Sequence, residues 1–108
     1  MMYKPRATRD IYMESISINS GSIEKQLKDK SVSSREIKSI IEAVNKKYRE
    51  NVDTIVAECD KDMMALERVP SPLRLFVDCL ADAMKSMDLS QPSRALLQGY
   101  TSAWEDWM

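Results

Sequence analysis

The chain has 108 residues, 44% of them hydrophobic, which suits one domain that buries roughly 65% of its unfolded surface. Its net charge of −1 gives no reason to expect affinity for nucleic acid or membrane, although residues 1–50 carry +4 and residues 51–108 carry −5. The complete lack of histidine removes the commonest general base, the Ser-His and Cys-His pairs and most zinc sites.

Two glycines, four prolines and one phenylalanine leave few turn and strand formers, so the expected class is all-α. Cys59 and Cys79 are isolated in apolar surroundings and read as buried, reduced thiols. No apolar leader or 18-residue apolar window occurs, which points to a soluble, intracellular (cytoplasmic) protein.

Residues 1–21 read as a flexible or partner-ordered basic segment, with Pro5 among Lys4, Arg6 and Arg9. Partial alternation over 11–18 allows a short strand, NSGS at 19–22 breaks the chain, and SIEKQLKDK supports about two helical turns from Ser22. Residues 22–108 are the expected helical domain.

Ser33 with Glu36 three residues later is a capping-box pattern, so a long helix should open near Ser34. Pro70 should stop it at Val69. Its apolar row, Ile37, Ile41, Val44, Tyr48, Val52, Ile55, Cys59, Met63 and Leu66, repeats every eleven residues. That period is close to the unstrained helix and needs no heptad supercoil.

Ser71-Pro72 opens a helix over about 72–88, with Leu73, Val77, Leu80, Met84 and Met87 as its apolar stripe. Ser90 followed by Pro92 opens another over about 91–107, with Leu96, Tyr100, Ala103 and Trp107 on one face. The expected architecture is an elongated helical hairpin or three-helix bundle built on the long helix. Met63, Met64, Met84 and Met87 should fill the core.

No catalytic constellation emerges. Gly21 and Gly99 stand alone, so no Gly-rich phosphate loop exists. Glu58 with Asp62 and Asp78 with Asp82 lie one turn apart, but the Glu-x-x-His partner of di-iron bundles is missing, and both pairs read as solvated faces. Neither metal nor cofactor is expected.

The function expected is therefore a non-enzymatic protein–protein interaction module, a small adaptor, chaperone or assembly subunit that self-associates. Ile37, Ile41, Val44 and Tyr48 would form the interface if no other helix of the chain covers them. Trp104 and Trp107, three apart and flanked by Glu105 and Asp106, would be anchors for a partner's groove.

A second reading comes from resemblance. An alternating segment at 11–18, a helix from 22 and a second helix opening SSREIKSIIEAV resemble the ribbon-helix-helix repressors, and VSSREIKSII is similar to the later part of a helix-turn-helix with Lys30-Ser31 in place of Leu-Gly. The resemblance implies a dimeric DNA-binding regulator using Lys4, Arg6, Arg9, Lys25, Lys28, Lys30, Arg35 and Lys38.

Overall fold

A computed structural model describes residues 8–107, with the side chains of Met63, Leu66 and residues 104–107 outside the description. The described chain is all-helical: α1 (Thr8–Asp29), α2 (Ser34–Lys61), a short 3-10 segment (Met63–Glu67), α3 (Pro72–Ser86) and α4 (Gln91–Trp107). It extends over 49 × 28 × 23 Å. α1 packs along α2, α3 lies against both, and α4 packs on α3 and α1.

The first helix corrects the expectation of a strand at 11–18 and a break at 19–22. α1 buries Tyr12, Ile16, Ser20, Ile23 and Leu27, spaced 4, 4, 3 and 4. Ser20 interrupts the apolar row, and Ile11 and Ile18 lie on the opposite, exposed face, so the helical period is blurred. Burial against α2 overrides the poor helix propensity of Asn19-Ser20-Gly21-Ser22. Ser20 tolerates burial because its Oγ donates to Asn45 Oδ1 at 2.9 Å.

The α1–α2 turn is a Schellman motif. Val32 N–H donates to Leu27 O at 3.2 Å and Ser31 N–H to Lys28 O at 3.0 Å, while Ser31 takes a left-handed φ of 61°. Ser33 then caps α2 by accepting from Glu36 N–H at 3.2 Å. The Glu36 carboxylate does not return to Ser33; it reaches α4 instead.

α2 ends at Lys61, eight residues before the expected Val69, giving a rod of roughly 42 Å. Asp62 takes an extended conformation (φ −148°, ψ 113°), accepts from Met64 N–H at 3.0 Å and pairs with Arg68 at 2.9 Å. An aspartate that satisfies a following amide competes with the helical ladder, and the chain continues as a 3-10 turn. Met64, expected in the core, is 59% exposed there.

The core joins Ile23 and Leu27 of α1, Ile40, Val44, Tyr48 and Val52 of α2, Phe76 and Leu80 of α3, and Leu97 of α4. α3 touches three helices, so its buried arc is broad. Leu75, Phe76, Cys79 and Ala83 are buried along with the expected Val77 and Leu80, whereas Leu73, Met84 and Met87 are only half-buried. Tyr48 Oη donates to Tyr12 O at 2.7 Å, and Tyr12 Oη donates to Pro70 O, which ties α1 to α2 and to the start of α3.

Candidate docking surface

α4 meets the core with a different face from the one its apolar pattern suggests. Ser93, Leu97 and Thr101 are buried, at 0%, 0% and 8% exposure. Leu96 and Tyr100 are half-buried, and Ala103 is exposed. Two polar residues point inward because each has a partner. Ser93 Oγ donates to the Glu36 carboxylate, and Thr101 Oγ1 donates to Gln98 O at 3.0 Å.

Glu36 fastens the start of α4. Its carboxylate also accepts from Ser90 Oγ and from Ser90 N–H, the latter at 2.9 Å. The hydroxyls of Ser90 and then Ser93, donating to the charged form, hold the Glu36 carboxyl below its ordinary value despite partial desolvation. A carboxylate at a helix N-terminus also meets the positive end of the helix dipole.

With its start held beside Glu36 and Tyr100 Oη reaching Asn19 Oδ1 at 3.4 Å, α4 runs antiparallel to α1. Between them lies a groove of about 610 Å³, lined by Gln26 and Lys30 and by Pro92, Ala95, Leu96, Gly99, Tyr100 and Ala103. Among the described residues of this lining, Lys30 is the one that carries a charge. Phe76 meets Tyr100 edge-on, ring centroids 6.0 Å apart, and fixes the groove's inner wall. Burial raises the Tyr100 hydroxyl above its ordinary pKa. A larger hollow of about 780 Å³ between α3 and α4 is ringed by Lys85, Asp88, Arg94 and Gln98, and its polar rim suits solvent.

The residues singled out from sequence fall in several places. Ile37, Val44 and Tyr48 are buried within the chain, at 3%, 1% and 0%, in the core that α2 shares with the other helices. These three are not surface residues of the folded chain. Ile41 is half-buried in a shallow hollow with Glu24, Lys28, Lys38 and Glu42. Trp104 and Trp107 continue the backbone of α4 beyond the groove, and their side chains lie outside the described residues.

The basic residues are interleaved with carboxylates. Arg9 pairs with Asp53 at 2.5 Å, Lys28 with Glu24 at 3.4 Å and Lys38 with Glu42 at 4.0 Å. Lys25, Lys30 and Arg35 are exposed around the same turn, while Lys4 and Arg6 lie outside the described residues. The strand on which the ribbon-helix-helix resemblance depends is helix α1.

The groups suited to other chemistry stay apart. Among the described residues no cluster of three or more Cys, Asp and Glu side chains is placed to hold a metal ion. Asp78 pairs with Arg74 at 3.4 Å. Cys59 is half-buried, and burial pushes the Cys79 thiol up to about 11, where it is protonated and unreactive. No described helix is long and apolar enough to cross a membrane.

Sequence reasoning placed Leu96, Tyr100 and Ala103 on one face but missed Ala95, Gly99 and Gln26 as its continuation. The spacing of Pro92, Ala95, Gly99 and Ala103 was the available signal. Compared with protein families, with curated proteins and with solved structures, the chain shows no significant match to any of them.

Proposed function

We propose that this chain is a non-enzymatic helical interaction module, a small adaptor, chaperone or assembly subunit, that self-associates and docks through the α1–α4 groove. The observation that carries this reading is the half-buried pair Leu96 and Tyr100, which floors a groove with one charge among the described residues of its lining. Uncharged, partly desolvated surface of this kind suits the centre of a protein interface. The tryptophans follow on the same helix, with Trp104 four residues after Tyr100 and Trp107 four after Ala103, and we assign them the anchor role.

Site-specific photo-cross-linking tests the reading. A photoreactive side chain at Ala95, in cells that make the protein, should give protein adducts that vanish when Gly99→Arg fills the groove. The same group at Gly21, exposed on α1, should give none. Absence of any protein adduct from Ala95, Gly99 and Ala103 would sink the proposal.

A further inference from the structure

The groove-facing side of α4 is self-complementary about one residue. Pro92, Ala95, Gly99 and Ala103 line the groove at spacings of 3, 4 and 4, and sequence position 106 follows three residues on, so the row of positions reads the same in both directions. Rotating one α4 antiparallel to another about Gly99 sets Ala95 against Ala103 of the second copy. It also sets the Pro92 end against position 106.

Backbone can approach backbone at the centre. A Cβ built on Gly99 meets nothing within 4 Å, so space lies open above the helix there. Ala95 and Ala103 on either side are exposed and small. Helices pack at the short end of the 8–10 Å range where the facing side chains are small.

Charge selects the same arrangement. Lys30, the one charge among the groove's described lining residues, lies at the Pro92 end, because α4 starts beside the α1–α2 turn and runs away from it. The far end of α4 carries Glu105 and Asp106. Antiparallel pairing therefore sets each copy's Lys30 end against the acidic-sequence end of the other's α4, twice over by symmetry. Parallel pairing would oppose like ends.

We infer that a second copy of this chain is the groove's occupant, docked α4 against α4 in an antiparallel, two-fold pair centred on Gly99. Both copies use the same patch, so the contact closes as a dimer and does not propagate. The inference rests on the interaction-module reading above and names the partner and the contact.

Sedimentation of the full chain over a concentration series tests it. The wild type should pass from monomer to dimer, and Gly99→Arg, whose side chain enters open space and leaves helicity unchanged, should weaken dimerisation more than about tenfold, or about 1.4 kcal/mol. Charge exchange supplies the second arm. Lys30→Glu and Asp106→Lys should each weaken the dimer, and the double variant should recover it, which damage to folding would not do.

A dimer indifferent to Gly99→Arg, or a double variant no better than the singles, overturns the α4 contact while leaving the module reading intact. A strict monomer overturns the second copy as occupant. In that case, adducts from Ala95 to a different protein keep the module reading, and absence of adducts removes it too.

Discussion

The Glu36 carboxylate accepts the hydroxyl proton of fully buried Ser93, 57 residues further along the chain. This bond joins the first turn of α2 to the first turn of α4, and it decides which face of α4 enters the core. Replacing Glu36 leaves a buried hydroxyl and an uncapped amide without their acceptor, a loss of about 1–3 kcal/mol. Urea unfolding of Glu36→Ala should show that loss, and Ser93→Ala should cost less in that background than in the wild type. Equal costs in both backgrounds would separate the two residues energetically.

The same carboxylate makes stability depend on acid. Its folded pKa is depressed, so its contribution is fully present above the ordinary glutamate value of 4.5 and is lost as pH falls through the lower folded value. Asp62, depressed by Arg68 and by the Met64 amide, adds to the same limb. Thermal unfolding between neutral pH and pH of about 3 should lose less stability in Glu36→Gln than in the wild type. An unchanged acid limb would contradict this assignment.

Neighbouring leucines on α4 should behave differently. Leu97 is fully buried and Leu96 half-buried, although the apolar pattern alone favours Leu96. Leu97→Ala should cost about 2–5 kcal/mol, and Leu96→Ala clearly less. The reverse order in denaturant titrations would mean that α4 is rotated from the orientation described.

Ser31 holds a left-handed backbone at the end of α1, where a glycine avoids the contact between Cβ and carbonyl oxygen. That relief, of about 1–2 kcal/mol, is partly offset by the greater freedom of glycine in the unfolded chain, of about 0.4–1 kcal/mol. Ser31→Gly should therefore raise the unfolding temperature, by an amount corresponding to up to about 1.6 kcal/mol. A lower temperature would show that Ser31 is not the Schellman residue.

Tyr48 is buried at 0% exposure and donates to the Tyr12 carbonyl, 2.7 Å away. Tyr48→Phe keeps the ring and removes the donor, at a cost of about 0.5–1.5 kcal/mol. Desolvation raises the Tyr48 pKa well above its ordinary 10.0. Its contribution is present below that ordinary value and is lost as pH rises through the raised folded value. The phenylalanine variant should resist alkaline unfolding better relative to its own neutral-pH stability, which circular dichroism against pH will read.

Local patterns in the sequence determined the helical class and the capping serines at 33 and 71, whereas the apolar period left open whether Ile37, Val44 and Tyr48 would face the chain's own helices or a partner. These features are local because a cap or an apolar period acts within a few residues of itself. Tertiary structure decided two others: the helix through Ser20 and Gly21 and the rotation of α4 that leaves Leu96 and Tyr100 in a groove. In both, a serine turned inward because a distant side chain, Asn45 for Ser20 and Glu36 for Ser93, completed its hydrogen bond. Hydrophobic periodicity treats serine as solvent-facing, and the partner that reverses that preference lies 25 or 57 residues away. The candidate docking surface is a product of that long-range pairing, so it became visible only when α1, α2 and α4 were packed together.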